Sequence, residues 1–156
     1  MYLTEKEKAI LDGEQGEIKR KCLELLVSVG ELYDAKKLID IQSVHLSGAN
    51  ILAVGEAGLR FVENVACNGT QMIVQTTTNP KSMPPRDGHR VGLTRKQIRD
   101  QMRLTNAFKK MGAFVCSTCT PYLLGHVPRP GEHISWSESS AVIYANAVLG
   151  ARTNRE

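Results

Sequence analysis

The stretch Leu38-Ile39-Asp40-Ile41-Gln42-Ser43-Val44-His45-Leu46 alternates apolar with polar side chains and is rich in β-branched residues. A period of two over this length predicts a half-buried strand. It leads into Ser47-Gly48-Ala49-Asn50, a loop, and then into Gly58–Ala66. There Leu59, Val62, Val65 and Ala66 recur at helical spacing, with Gly55 to Gly58 as the approach. After a turn at Asn68-Gly69, the apolar Gln71-Met72-Ile73-Val74-Gln75-Thr76-Thr77 predicts a second strand. Strands separated by helices imply α/β layers around a mainly parallel sheet.

The same alternation extends both ways along the chain. Upstream, Thr4-Glu5-Lys6-Glu7 is a capping-box pattern that opens a short helix closed by Gly13. From Glu14 to Val29 the residues Ile18, Cys22, Leu25, Leu26 and Val29 form one helical stripe, predicted to face inward and to end at Gly30. Tyr33 to Leu38 is read as a further turn. Downstream, residues 79–92 hold three prolines and two glycines, too many breakers for a regular element, so a long loop is expected. Thr94-Arg95-Lys96-Gln97 repeats the capping pattern and starts a helix over Arg95–Lys110, with Ile98, Met102, Leu104 and Phe108 on its buried side. Ala113–Cys116 is a short strand, Thr120–Glu132 a proline-rich loop, and Glu138–Leu149 a last helix closed by Gly150. About three strands result, fewer than a typical sheet holds, so an incomplete domain is expected.

At 156 residues, 42% of them apolar, the chain suffices for one core of ordinary size. Its 20 basic and 16 acidic residues give a net charge of +4, spread along the sequence, and only 5% of residues are aromatic. Without a basic stripe or stacking aromatics, a dedicated nucleic-acid binder is disfavoured. No apolar run approaches the ~20 residues of a membrane span, and Met1–Lys8 has no signal-peptide core. A cytosolic protein is expected, its four cysteines reduced.

Candidate chemistry gathers in the loops that follow strands, where open α/β sheets place ligands. Cys116-Ser117-Thr118-Cys119-Thr120-Pro121 sets two thiols near a strand end. A C-x-x-C redox pair fits poorly ahead of Pro121. A zinc site with His126 and His133 has irregular spacing. A single thiolate completing a shared cluster and two small packing residues are equally open readings. Cys22 and Cys67 are read as packing residues. Thr76-Thr77-Thr78-Asn79-Pro80 offers hydroxyls and an amide to an anion, or is a strand end with a turn. Ser47-Gly48-Ala49 is an anion nest or a simple corner. Ser135 and Ser137 are read as possible helix caps, and His45 as a satisfied strand histidine.

Taken together, several motifs resemble the aconitase X family, a divergent branch of the aconitase superfamily. They are Met1-Tyr2-Leu3-Thr4, Gly13-Glu14-Gln15-Gly16, Gly30-Glu31-Leu32-Tyr33, the Ser47-Gly48 loop, Thr77-Thr78-Asn79-Pro80 and Cys119-Thr120-Pro121-Tyr122. Longest of all are Gly131-Glu-His-Ile-Ser-Trp-Ser-Glu-Ser-Ser-Ala141 and Tyr144-Ala-Asn-Ala-Val-Leu-Gly-Ala-Arg-Thr-Asn-Arg-Glu156. The resemblance covers nearly the whole chain. It implies an aconitase-like layered parallel sheet and a hydro-lyase that removes water from a small hydroxy acid, as phosphomevalonate and cis-3-hydroxy-L-proline dehydratases do. It further implies a [4Fe-4S] cluster held by three cysteines, with one iron open to act as a Lewis acid on the departing hydroxyl. Cys119 is carried over as a cluster ligand, and Gly48, Ala49, Asn50, Asn79 and Pro80 as the substrate-binding loops. No residue is identified as the base.

Departures from the family bound these expectations. Members are longer, so residues 1–156 read as the N-terminal portion of the catalytic domain, with the other two cluster cysteines beyond Glu156. Cys116 is offset from the family's Cys-Thr-Cys-Thr-Pro spacing and is not assigned. Pro84 follows Met83 where an acidic residue is common. The expected partners are the remainder of the domain and a small swivelling subunit or domain. The large-subunit-like start and Asn79-Pro80 favour phosphomevalonate as substrate; hydroxyproline is the alternative, and a non-catalytic remnant acting as a binding module is the other.

Overall fold

The computed structural model describes residues 1–79 and 87–153, and the chain divides into two compact units, Met1–Asp40 and Ile41–Glu156. In the first unit, α1 (Glu5–Leu11) opens on Thr4 with both bonds of the capping box. The Glu7 amide donates to Thr4 Oγ1 (3.3 Å), and the Thr4 amide donates to the Glu7 carboxylate (2.6 Å). The second helix, α2 (Glu17–Leu32), runs straight through Gly30. A Cβ there would lie 3.1 Å from the Met1 Cε, so this glycine serves close packing and does not end the helix. The expected inward stripe is also corrected: Leu23 is the buried residue of α2, while Cys22, Leu25, Leu26 and Val29 are exposed. Residues 33–38 add no helical turn; Lys37 instead makes a parallel bridge with Tyr2.

The second unit is built on a five-stranded, wholly parallel sheet in the order β3-β2-β1-β4-β5. The strands are β1 (Ser43–Ser47), β2 (Gln75–Asn79), β3 (Phe114–Val115), β4 (His133–Trp136) and β5 (Arg152–Thr153). Between them lie α3 (Ile51–Cys67), α4 (Arg95–Lys110) and α5 (Ser139–Ala147). The α/β reading holds, with five strands where about three were expected. β4 has four residues and β5 two, too few for an alternation to announce them. β1 and β2 begin four or five residues later than their apolar patterns. Met72, Ile73 and Val74 precede β2, and Ile73 is 92% exposed.

Chain order and handedness assign the layers. The steps β1-α3-β2 and β2-α4-β3 move one way across the sheet, and β4-α5-β5 moves the other. Right-handed crossovers therefore place α3 and α4 on one face and α5 on the opposite one. The register carries this into side chains: His45 aligns with Thr77 and with Trp136, so the three share a face. On that face Ile134 and Trp136 pack with Ala141, Val142 and Ala145 of α5 and with Ala151, and Tyr122 stacks on Tyr144. In the α3 and α4 layer Leu59, Val65, Leu104 and Phe108 are buried as the spacing predicts, but Met102 is 56% exposed. Gln101 is buried instead, because its side-chain oxygen accepts the Ile51 amide (2.9 Å) at the start of α3.

Candidate functional site at the sheet's carboxyl edge

Where two adjacent parallel strands send their chains to opposite faces, a crevice opens at their carboxyl ends, and open α/β sheets bind ligands there. In this sheet the crevice lies between β1 and β4. A clasp spans it. The Ser47 amide donates to Ser137 Oγ (2.9 Å), and that hydroxyl donates to the His45 carbonyl (2.9 Å). The Ser137 amide reaches the same carbonyl (3.1 Å). Ser137 thus ties β1 to β4 and is not a helix cap.

The loop after β1 holds three of the expected site residues. Gly48 has φ +63°, a left-handed conformation that suits glycine. Asn50 caps α3: its side-chain oxygen accepts the amides of Leu52 (3.0 Å) and Ala53 (3.1 Å). Gln101 takes the Ile51 amide, so the first donors of α3 are spent inside the fold. In this loop Gly48 is exposed and Ala49 half-buried, and the Gly48 carbonyl accepts the Asn50 amide (2.7 Å).

Asn79 ends β2, and its Nδ2 donates to Glu138 Oε1 (2.8 Å). Its own Oδ1 is buried with no partner among the described residues. Glu138 stands at the N-cap of α5 yet makes no capping bond, because its carboxylate is turned to Asn79. The site therefore contains a fixed, half-buried carboxylate beside the uncapped start of a helix, whose first amides favour anions. Such a carboxylate can orient a hydroxyl or accept a proton. The sequence reading takes Glu138 only as the first residue of the last helix and offers Ser135 and Ser137 as its caps. The position of Glu138 at a cap, where a short Ser, Asp or Asn is usual, was the available signal.

The loop after β3 carries the thiols. Cys116 is half-buried, and its Sγ lies within reach of the carbonyls of Thr78 (3.4 Å) and Thr118 (3.6 Å), one of which accepts its single proton. Cys119 is exposed, and Thr118 and Thr120 bond to each other beside it (2.9 Å). Cys22 and Cys67 are exposed too, which corrects their reading as packing residues. Among the described residues no three His, Cys, Asp or Glu side chains are gathered to hold a metal. Pro80, Met83 and Pro84 lie outside the described residues.

His126 packs against Thr77 and Trp136. Its Nδ1 lies 2.7 Å from Thr77 Oγ1, and His45 Nδ1 lies 2.8 Å from the same oxygen. Both rings are buried and neither Nε2 has a partner among the described residues, so His45 is only half satisfied there. Burial holds the His126 pKa down to about 4, with His45 contributing, and burial also lowers that of His45 against the opposing pull of Glu138.

Comparison with known proteins converges on one family. The model describing the aconitase X first domain matches residues 1–156. The chain belongs to the aconitase X family. It is 49% identical over its entire length to a Methanocaldococcus jannaschii protein named phosphomevalonate dehydratase large subunit, of which it covers 39%. It is 40% identical over 149 residues to a cis-3-hydroxy-L-proline dehydratase of Pseudomonas aeruginosa, covering 25% of that protein. The crystal structure of Thermococcus kodakaraensis aconitase X in its holo form superposes with a TM-score of 0.85 at 42% identity, over the whole of this chain and 38% of the other. This aconitase X domain thus spans about two fifths of the length of the large subunits it matches, in keeping with the expectation of an incomplete domain.

Proposed function

We propose that this aconitase X domain is the N-terminal part of a hydro-lyase that dehydrates a small hydroxy acid, with (R)-5-phosphomevalonate as substrate and an anhydromevalonate phosphate as product. The observation that carries this reading is the 49% identity, over all 156 residues, to a protein named phosphomevalonate dehydratase large subunit. In this reading the enzyme is cytoplasmic and serves the mevalonate route to isoprenoids. Its active form includes the rest of the catalytic domain and a small swivelling subunit. No helix among the described residues is long and apolar enough to cross a membrane.

Hydroxide is a poor leaving group at neutral pH, and an open iron of a [4Fe-4S] cluster supplies the Lewis acid that such an elimination needs. The described residues suit one leg of that cluster: an exposed thiol at Cys119, on a loop tied down at Cys116 and Thr120. The other ligands belong to the remainder of the protein. The chain's own residues bind and orient. The backbone of Gly48 and Ala49 and the start of α5 offer donors to carboxylate or phosphate, with Asn50 shaping the first loop and Asn79 and Pro80 the second. Glu138, fixed by Asn79, meets the substrate's polar end.

A dehydration assay offering (R)-5-phosphomevalonate and cis-3-hydroxy-L-proline separately to the complete two-subunit enzyme tests the reading. Water loss from the phosphate compound, with at least tenfold preference in kcat/KM, is expected. Preferential turnover of hydroxyproline contradicts the substrate assignment, and turnover of neither favours the binding-module alternative.

A further inference from the structure

Beneath the crevice, one hydroxyl serves two histidines. Thr77 Oγ1 stands 2.8 Å from His45 Nδ1 and 2.7 Å from His126 Nδ1, and all three side chains are buried. A threonine hydroxyl carries a single proton. It cannot donate to both rings, and accepting from both would leave its own proton buried without a partner, a costly arrangement. Of the three atoms that meet here, Thr77 Oγ1 and the two Nδ1, the arrangement that gives each a partner has Thr77 donating to one Nδ1 and accepting from the other, while the two Nε2 atoms have no partner among the described residues in either arrangement. One histidine then carries its proton on Nδ1 and the other on Nε2.

This chain of bonds connects the three segments of the proposed site. His45 lies on β1, two residues before Ser47, and its carbonyl holds the Ser137 clasp. Thr77 lies on β2, two residues before Asn79. His126 follows the 3-10 turn Pro121–Leu124 and is seven residues past Cys119. Its amide donates to the carbonyl of the buried Pro121 (3.2 Å), which ties the histidine to that turn. Trp136 sets its ring edge-on to both histidines, at centroid distances of 5.9 and 5.1 Å, and spends its own N–H on Ser43. Glu138 is the charged group whose field reaches His45, and His45 is the titratable neighbour of His126.

We infer that Thr77 orders His45 and His126 into opposite tautomers, and that this relay is the positioning device that holds the Cys119 loop in place against the loops carrying Gly48 and Asn79. The tautomer statement stands on the geometry alone, whereas the positioning statement rests on the function proposed above. These are positioning residues, acting through the loops they anchor. Both rings are neutral in the relay, as expected where burial disfavours their charged forms.

The test has two arms. Long-range proton–nitrogen NMR of the 15N-labelled chain at pH 7 reads each ring's tautomer directly. One Nδ1–H and one Nε2–H histidine are expected for His45 and His126, and finding both in the same tautomer overturns the relay. In the complete enzyme, Thr77→Val, which keeps the shape and removes the hydroxyl, is expected to lower kcat at least tenfold, while Thr77→Ser stays within about threefold of wild type. Full activity in Thr77→Val overturns the positioning role. Should Thr77→Val fail to fold, Thr77→Ser decides, since a loss beyond tenfold with the hydroxyl retained contradicts it. A wild-type enzyme inactive on both hydroxy acids, with opposite tautomers still observed, removes the proposed function and leaves the relay intact.

Discussion

Asn79 and Glu138 form the polar contact on which the site's local electrostatics turn. Replacing Asn79 by Asp would set a second carboxylate 2.8 Å from the first. Like charges that close cannot both ionise without cost, so one carboxyl is pushed above its ordinary range. Asn79→Asp is therefore expected to lose stability as pH rises through about 4 to 6, and thermal melts at pH 5 and 8 should diverge for the variant more than for wild type. Gly48→Ala tests the other loop. Its added Cβ meets nothing within 4 Å, so the cost is the left-handed backbone alone, about 1 kcal/mol by denaturant unfolding. Exposed Cys22 gives the control, with Cys22→Ser leaving stability unchanged within roughly 0.5 kcal/mol.

Among the elements, legibility in the sequence follows burial chemistry. α4 is found to the residue because Thr94 and Gln97 form a full capping box and Leu104 and Phe108 keep the apolar period. Removing the cap with Thr94→Ala is expected to cost about 1 kcal/mol, and Leu104→Ala, at a fully buried position, about 2 to 5 kcal/mol. The sequence pattern marks α3 only from Gly58, although the helix opens at Ile51. The break at Gly55 (φ 61°, ψ −168°) interrupts the periodicity, and the first turn is held by Asn50 and Gln101. β2 shows the opposite failure. Its buried residues are Thr76, Thr77 and Thr78, so the apolar run just before it drew the strand too early. β4 has no assignment in the sequence because its four residues hold only two apolar side chains, Ile134 and Trp136, too short a run to carry a period. The stripe on α2 shows that periodicity aligns apolar residues without saying what covers them. The same limit applies to the candidate site: turn chemistry and family resemblance single out Gly48, Asn50 and Asn79, but the pairing of Asn79 with Glu138, 59 residues apart, depends on sheet order.

For the molecule as a whole, two pH windows follow from its buried groups. The folded chain holds His126 at about 4 against an ordinary 6.5, so between these values the unfolded chain binds a proton that the folded one refuses. Stability from this group is complete above pH 6.5 and declines as pH falls toward 4, by at most roughly 2 to 3 kcal/mol. Asp100, lowered chiefly by its bond to Lys96, acts in a more acidic window, its contribution being lost below the ordinary aspartate range. Urea midpoints between pH 7.5 and 4 should therefore fall already before carboxylates titrate, and should fall less in His126→Asn. In the proposed enzyme Cys119 is one leg of an iron–sulfur cluster completed by the rest of the protein. The most direct test of that role is visible absorbance of the complete enzyme, reconstituted anaerobically with iron and sulfide, for wild type and Cys119→Ser. Loss of cluster absorbance together with dehydration in the variant is the expected result; a variant that keeps both at wild-type levels contradicts the account.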